Sequence, residues 1–226
     1  MTSTLGNNSD NSNNNNNNKN VLDTQKFYSA DVVSQYAGMM ASEIPKYQPD
    51  FERLLKDLPD GPILDTAVGT GHMLEALLKM DPNRSICGSD LSPDMVEHAK
   101  SRLTGALFVK CADMSKLQGV VDDESVIAVL NNFALHHVAK ETAKECFMEW
   151  ARVLKSNGRL LVSCWEGSGE MDFGDMIGDK EVFCSRWSKD QIGNWATAAG
   201  MKLIYDREFL EEDFGSQNTY YAIYEK

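Results

Sequence analysis

The sequence predicts an α/β fold in which a mostly parallel sheet is covered by helices. Apolar strand-like runs alternate with runs of helical periodicity between Pro62 and Trp165, and this alternation is typical of parallel strands joined by crossover helices. The chain has 226 residues, a length that suits one domain, and its hydrophobic content of 42% can fill a core. The sequence shows no internal repeat.

The first twenty residues, MTSTLGNNSDNSNNNNNNKN, differ from the rest of the chain in composition. They contain almost no apolar side chains, so burial cannot offset the entropy that ordering would cost. We therefore expect a disordered Asn-rich tail over residues 1–20 and one domain over residues 21–226. Composition favours an incidental low-complexity extension over a segment for Asn-rich self-association.

A helical segment is predicted ahead of the first strand, from about Val21 to Leu58. In DFERLLKDL the apolar residues recur at helical spacing and lie on one stripe, which consists of Phe51, Leu54, Leu55 and Leu58. This is the pattern of an amphipathic helix.

The alternating region follows. Its strand-like runs are PILDTA, SICGSD, ALFVKCAD, SVIAVLNNF and GRLLVSCW, and its helix-like runs are HMLEALLKM, SPDMVEHAKSRL and KETAKECFMEWARVL. Ser92 and Pro93 fit the N-cap and the first position of the second of these helices. Asn157 and Gly158 predict a turn by which the chain leaves the helix that ends near Leu154.

After Trp165 the pattern becomes irregular. The Gly- and Asp-rich stretch EGSGEMDFGDMIGD predicts a loop or a lid. A further helix is expected from about Ser188 to Ala199, ending at Gly200. The runs KLIYDREF and TYYAIYEK predict two closing strands that pair antiparallel.

Composition excludes several classes of function. The formal net charge of -12 disfavours a nucleic-acid partner, because such binding depends on Lys and Arg neutralising phosphates. The five cysteines show no CxxC and no metal-ligand spacing, which favours buried reduced thiols and no bound metal. We expect no membrane span, because no apolar run approaches the roughly 20 residues required, and no signal peptide, which makes a cytoplasmic protein the default.

The stretch ILDTAVGTG, residues 63–71, is the first candidate for chemistry. In an open parallel sheet the first strand-to-helix turn meets ligands at a helix N-terminus. Gly69 and Gly71 lie on that turn, where a missing Cβ lets backbone amides approach a ligand. A dinucleotide fingerprint is disfavoured because Leu74 takes the place of its third small residue, and a P-loop is excluded because no GK[ST] follows.

Five stretches in order carry a family resemblance: LDTAVGTG, GSDLSPDMVEHAK, CADMSKL, VIAVLNNFALHHV and RVLKSNGRLLVSCWE. Together they resemble the motif set of class I S-adenosylmethionine-dependent methyltransferases, in particular the small-molecule branch of the ubiquinone and menaquinone methyltransferases. The likeness runs from about Phe27 to the end of the chain. It implies a Rossmann-like, seven-stranded, mostly parallel sheet with one antiparallel strand and helices on both faces.

The resemblance also implies the activity, which is transfer of a methyl group from S-adenosylmethionine to a small organic acceptor. One departure is Ala67, which stands where the family's DxGxGxG has its first glycine. Because Ala is still small, we expect cofactor binding to survive. The sequence does not show which acceptor is used or which of its atoms is methylated.

Nine residues are implied as cofactor ligands. They are Asp65, Ala67, Gly69, Gly71, Asp90, Leu91, Asp113, Met114 and Asn131. By resemblance Asp65 faces the methionine ammonium, Asp90 the ribose hydroxyls and Asp113 the adenine amino group. The alternatives are a turn-forming Asp65, a strand-end or capping Asp90 and an ordinary core Met114.

The end of the fourth predicted strand would lie beside the transferred methyl. Its residues NNFA lack the [DNS]PP[YFW] motif, so methylation of a planar amino nitrogen loses support. His136 and His137 follow and are candidate general bases, with a structural cap as the alternative. Tyr28, Tyr36, Trp165 and Glu166 are candidates for the lid and acceptor pocket, with ordinary packing as the alternative.

Two rival functions remain open at this stage. A protein methyltransferase would use the same cofactor site with an open acceptor cleft. A non-catalytic scaffold would keep the fold alone, but it has no physical need for an acid such as Asp90 at a strand tip.

Overall fold

The computed structural model describes residues 19–171, 182–212 and 217–226, and for Ala41 and Ser42 it describes the backbone only. Residues 1–18 of the predicted tail lie outside the described residues. So do residues 172–181, which form the greater part of the predicted Gly- and Asp-rich loop.

The described residues form one seven-stranded sheet in the order β3-β2-β1-β4-β5-β7-β6. β7 is antiparallel to both of its neighbours, and the other six strands run in one direction. This confirms the predicted fold, including its single antiparallel strand. The strands are β1 Ile63–Asp65, β2 Ile86–Asp90, β3 Val109–Cys111, β4 Val126–Asn132, β5 Leu154–Trp165, β6 Lys202–Glu211 and β7 Gln217–Glu225.

Helices cover both faces of the sheet. They are α1 Ala30–Leu55, α2 His72–Met80, α3 Pro93–Arg102, α4 Lys140–Val153 and α5 Lys189–Ala198, with a 3-10 turn at Leu135–His137. Residues 19–27 are also helical and are called here the leading helical segment. None of the helices in the described ranges combines the length and the apolar character that crossing a membrane requires.

The strands divide the core into two layers because successive side chains point to opposite faces. Ile63 packs in the layer that contains α1, α2 and α3, and the next residue, Leu64, packs in the layer that contains α4 and α5. The predicted α1 stripe lies in the first layer, where Phe51 and Leu54 are buried. Helix positions that were predicted from apolar periodicity therefore face the sheet.

Local capping agrees with the sequence at α3. Ser92 Oγ accepts a hydrogen bond from the Met95 amide at 3.2 Å, and Pro93 is the first helical residue. The turn predicted at Asn157 and Gly158 is placed differently, because β5 begins at Leu154 directly after α4. Asn157 has a φ of +61°, and the pairing register with β4 jumps from Leu154 to Arg159, so the turn is an irregularity inside the strand.

Helix α1 is held to the edge of the sheet by buried ion pairs. It contains Pro45 and Pro49, and each interior proline removes a backbone hydrogen bond and weakens a helix. Asp50, which is 1% exposed, binds Arg207 of β6 through contacts of 2.9 Å and 2.6 Å. Lys46 bridges Glu43 and Glu211 at 2.8 Å and 2.9 Å.

Substitution Arg207→Ala is expected to destabilise the fold, because it leaves the Asp50 carboxylate buried without its cation. Removing one partner of a buried pair costs about 3–5 kcal/mol. Lys189→Ala is the control, since it breaks the exposed pair with Glu208 and exposed pairs contribute little to stability. Urea denaturation of the two variants measures the difference, and equal losses would show that the Asp50 pair does not anchor α1.

Candidate cofactor and acceptor site

Two adjoining cavities open at the carboxyl ends of the central strands. The larger has a volume of about 440 Å³, which lies within the roughly 300–1,000 Å³ of small-molecule sites, and the smaller has about 60 Å³. They meet where the strand order reverses between β1 and β4, the place where open α/β sheets bind ligands. Six residues line both cavities: Tyr28, Tyr36, Ala67, Gly69, Asn132 and Phe133.

The two glycines of the first loop serve different needs. Gly69 lines both cavities with a φ of +51°, and a Cβ there would lie 3.8 Å from the nearest atom, in Tyr36. Gly71 lines neither cavity. It caps α2 with a φ of +87°, and a Cβ there would come within 3.2 Å of Leu103 and 3.3 Å of Arg102, so the missing Cβ at Gly71 serves close packing, and its predicted ligand contact stays a prediction.

A third glycine shapes the same loop from the neighbouring strand. At Gly88 of β2 a Cβ would lie 2.9 Å from the Val68 side chain. Its absence lets the loop that follows β1 fold down against β2. Gly88 was not a candidate from the sequence, because its role depends on contact with Val68 of a different element, which no local pattern shows.

Asp90 joins the loops that follow β1 and β2. Its Oδ2 accepts a hydrogen bond from the Gly69 amide at 2.8 Å, and its Oδ1 accepts one from the Ser92 amide at 2.9 Å. Burial raises the pKa of this carboxyl, and the backbone hydrogen bonds act in the opposite direction. Asp90 also lines the larger cavity, so a single carboxylate organises two loops and faces the ligand space.

Asp65 is buried with 1% of its surface exposed and lines neither cavity. Burial raises the pKa of this carboxyl to about 7, the Ala67 amide at 3.1 Å opposes the rise, and Asp90 adds to it. Its predicted partner, a ligand ammonium, would compensate for the burial of its charge. At neutral pH Asp65 is thus poised between its charged and neutral forms.

Three more residues predicted as cofactor ligands line the larger cavity. Leu91, Asp113 and Met114 line it together. Asp113 Oδ1 accepts hydrogen bonds from the Ser115 amide at 2.8 Å and from the Ser115 hydroxyl at 2.7 Å, which fixes the orientation of the carboxylate.

The two asparagines at the end of β4 point to opposite faces of the sheet, because successive side chains of a strand alternate. Asn132 lines both cavities, whereas Asn131, the residue predicted from sequence, is fully buried and lines neither. Asn131 Nδ2 donates to Thr66 Oγ1 at 3.0 Å and lies 3.2 Å from Met114 Sδ. It therefore supports two residues that line the larger cavity, while its neighbour faces the ligand space.

The two candidate histidines form a hydrogen-bonded cluster with Tyr28. The Tyr28 hydroxyl lies 2.8 Å from His137 Nε2, and His136 Nε2 lies 3.0 Å from the same atom. His137 Nδ1 lies 3.0 Å from the Phe183 carbonyl. His137 lines the larger cavity, His136 the smaller and Tyr28 both.

Burial lowers the pKa of both histidines, that of His137 to about 4. Burial likewise raises the pKa of Tyr28 well above its usual range. All three side chains are therefore neutral near pH 7. The side chains of His136, His137 and Cys184 bring potential metal-ligand atoms within 4.8 Å of one another. Both ring nitrogens of His137, however, already face hydrogen-bond partners.

The leading helical segment covers the larger cavity. Asn20, Val21 and Thr24 line it, Gln25 Nε2 donates to the Leu91 carbonyl at 3.1 Å, and Ser92 Oγ donates to the Tyr28 carbonyl at 2.6 Å. Trp165 lines the smaller cavity, whereas Glu166, also a candidate from sequence, lines neither. Further lining residues not singled out from sequence are Thr66, Met95, Phe133, Thr142 and Glu145.

The central segment of the chain is similar in sequence to known methyltransferases. Residues 63–158 match the family model described as a methyltransferase domain. The chain is 32% identical over 102 residues to malonyl-[acyl-carrier protein] O-methyltransferase of Hahella chejuensis, covering 45% of this chain and 35% of that protein. It is 33% identical over 102 residues to a ubiquinone/menaquinone biosynthesis C-methyltransferase of Desulfotalea psychrophila, covering 45% and 40%.

The fold is similar to that of a SAM-dependent methyltransferase of Methanosarcina mazei, with a TM-score of 0.67 and 17% identity over 79% of this chain and 97% of that one. These similarities confirm the resemblance to class I S-adenosylmethionine-dependent methyltransferases. This chain spans well under half the length of the two curated relatives, so the acceptors in their names belong to those proteins.

Gly71→Ala is expected to lower the free energy of unfolding by about 1–3 kcal/mol from backbone strain, with a further loss from contact with Leu103. Gly119→Ala is the matched control, since Gly119 has a φ of +76° and open space around the missing Cβ. Denaturant unfolding measures both variants. A loss no larger than that of Gly119→Ala would show that packing against α3 does not require Gly71.

Asp65 should make stability fall as pH rises. The folded state keeps the Asp65 proton to a pKa of about 7, whereas the unfolded chain loses it near pH 3.9, so between these values the folded state binds more protons. Each pH unit of that window corresponds to about 1.4 kcal/mol. Unfolding measured from pH 4 to 7.5 should show a flatter profile for Asp65→Asn, and an unchanged slope would contradict the buried, protonated carboxyl.

Proposed function

We propose that this protein transfers a methyl group from S-adenosylmethionine to a small organic acceptor, releasing S-adenosylhomocysteine. The observation that carries the proposal is Asp90, a carboxylate at the tip of β2 that faces the larger cavity while it holds the Gly69 amide. An acid at this strand tip is where nucleoside-binding α/β folds contact ribose. The match of residues 63–158 to a methyltransferase domain supports the same conclusion.

The residues present fit this cofactor. The larger cavity joins an acid at Asp90, an apolar surface at Leu91 and Met114, and a second acid at Asp113, a sequence of groups that suits a ribose, the faces of a purine and its amino group. Gly69 leaves room for close approach of the ligand, and the buried Asp65 carboxyl accepts a hydrogen bond from Ala67, which lines both cavities. When bound, the cofactor supplies a methyl group already activated by a sulfonium.

The smaller cavity is proposed as the acceptor pocket. Its walls are mostly aromatic or thioether side chains, among them Met39, Tyr47, Phe133 and Trp165. Such a lining binds an apolar acceptor and excludes water from the reacting atoms. Since the donor is already activated, the remaining task of the protein is to align acceptor and methyl group.

The acceptor in this proposal is a small molecule, and this part of it rests on the small volume of the pocket, about 60 Å³. One curated relative is named for malonyl-[acyl-carrier protein] and another for ubiquinone/menaquinone biosynthesis. These two names point to acceptors of different kinds, so they do not identify the acceptor of this chain. Product analysis with candidate proteins and small metabolites separates this proposal from a protein methyltransferase.

Titration calorimetry with S-adenosylmethionine tests the cofactor site. Asp90→Asn keeps the size of the side chain but removes its charge, and it should weaken binding tenfold or more, which corresponds to about 1.4 kcal/mol. Asp94→Asn on α3 is the control, because Asp94 is exposed and lines neither cavity, and its affinity should equal that of the wild type.

The unfolding curves of both variants should be recorded alongside, since Asp90 also joins two loops. Weaker binding with an intact fold supports direct contact with the ligand. Absence of binding by the wild-type protein would sink the proposed function and favour a scaffold that keeps only the fold.

A further inference from the structure

The cluster of Tyr28, His137 and His136 stands at the junction of the two cavities. Tyr28 lines both, His137 lines the larger and His136 the smaller. On the proposed function, the junction is where acceptor and methyl group meet. A hydrogen-bonded set of titratable side chains is therefore located beside the reacting atoms.

The hydrogen bonds assign the proton positions in this cluster. A carbonyl oxygen can only accept, so the Phe183 carbonyl at 3.0 Å requires a proton on His137 Nδ1. A neutral imidazole carries one ring proton, so His137 Nε2 is the unprotonated nitrogen and can accept a hydrogen bond. The Tyr28 hydroxyl, 2.8 Å away, donates to that nitrogen, and His136 Nε2 lies 3.0 Å from the same nitrogen.

The smaller cavity has no side chain suited to a charged acceptor. Among the described residues that line it there is no Arg or Lys, and burial lowers the pKa of its two histidines, His72 and His136. Asp65 and Asp90 lie close by, since Ala67 and Gly69 of the cavity wall donate to them. A carboxylate acceptor would enter an apolar space whose described lining has no Arg or Lys and which lies near two acids, and such burial of a charge is costly.

A polar donor at the junction suits an acceptor oxygen instead. Asn132 lines both cavities, and its Nδ2 is buried without a hydrogen-bond partner among the described residues. A buried donor of this kind is costly unless something accepts from it. The oxygen of a hydroxyl or enol placed at the junction would do so.

We propose that Tyr28 and His137 form a proton-accepting pair that deprotonates a neutral hydroxyl- or enol-bearing aromatic or apolar acceptor during methyl transfer. The proposal rests on the proposed function and assigns Tyr28 as a catalytic residue. It also selects one class of acceptor, because a carboxylate needs no base and the described residues of the smaller cavity include no Arg or Lys to bind it.

An acceptor oxygen loses its proton as it gains the methyl group. The acceptor O–H bond breaks, its proton passes to Tyr28 Oη, and the proton of Tyr28 passes to His137 Nε2. The acceptor oxygen bonds to the methyl carbon while the bond from that carbon to sulfur breaks with its electron pair left on sulfur. Positive charge thus leaves the sulfonium and appears on the imidazolium, so no net charge is created in the buried site, and the proton is later lost to solvent.

The test compares matched acceptors and matched variants. Phenol and 2-naphthol are assayed against benzoate and 2-naphthoate, with S-adenosylhomocysteine formation as the readout and titration of S-adenosylmethionine as an independent measure of the cofactor site. The variants are Tyr28→Phe and His137→Asn. Tyr205→Phe and His98→Gln are the controls, since these side chains lie on β6 and α3 and line neither cavity.

The hydroxyarenes should be methylated and the carboxylates should not. Tyr28→Phe and His137→Asn should lower kcat/KM by roughly 100-fold or more, the usual contribution of a positioned base, with cofactor affinity changed less than about threefold. The controls should match the wild type. In nitrogen-15 spectra of the histidine rings, His137 should carry its proton on Nδ1, and Tyr28→Phe should shift its Nε2 signal.

Several results would overturn the proposal. These are methylation of the carboxylates at comparable rates, no turnover of either hydroxyarene by a protein that binds the cofactor, unchanged kcat/KM in Tyr28→Phe, or a proton on His137 Nε2. Failure of the wild type to bind S-adenosylmethionine is a different outcome, because it rejects the proposed function itself.

Discussion

The hydrogen bonds of the Asp90 carboxylate to two backbone amides are the interaction on which the site depends. One oxygen holds Gly69 in the loop after β1, and the other holds Ser92 at the start of α3. Ser92 in turn caps α3 and binds the Tyr28 carbonyl, which positions the cover over the larger cavity. The Asp90 carboxylate therefore links the loop after β1 to the start of α3 and, through Ser92, to the chain that follows the leading helical segment. The same backbone amides stabilise its buried charge.

The smaller cavity, which we propose as the acceptor pocket, is built by a different kind of interaction. Phe133 contacts Tyr47, Trp165 and Tyr221 through aromatic pairs, with ring centroids 6.0 Å, 4.9 Å and 5.7 Å away. Its backbone has a φ of +47°, an uncommon conformation for a bulky residue, and it is held there by hydrogen bonds from its amide to Ser163. The packed rings and the ion pairs between α1 and β6 support this wall of the smaller cavity.

The sequence predicted the sheet, its helices and the loop positions that face the larger cavity, because these features follow from local periodicity and from motifs tied to strand ends. Asp90, Leu91, Asp113 and Met114 belong to this group. Packing across elements could not be predicted in the same way. The role of Gly71 depends on Leu103, more than thirty positions away, and the choice between Asn131 and Asn132 depends on the phase at which β4 ends.

The cluster around His137 shows the same limit. The histidine pair was visible as a candidate for proton transfer, but its orientation is decided by Phe183 and Tyr28, which come from opposite ends of the chain. The tautomer that makes Nε2 an acceptor is thus a property of the tertiary structure. No local pattern around LHH contains it.

The contact between Gly88 and Val68 limits which residues can replace either of them. The methyl groups of Val68 occupy the space that a Cβ at position 88 would need, at a distance of 2.9 Å. A larger residue at position 88 is compatible with the same loop only if position 68 becomes smaller. Two sites twenty positions apart are therefore expected to change together, and the shape of the loop after β1 depends on a residue of β2 that lies outside that loop.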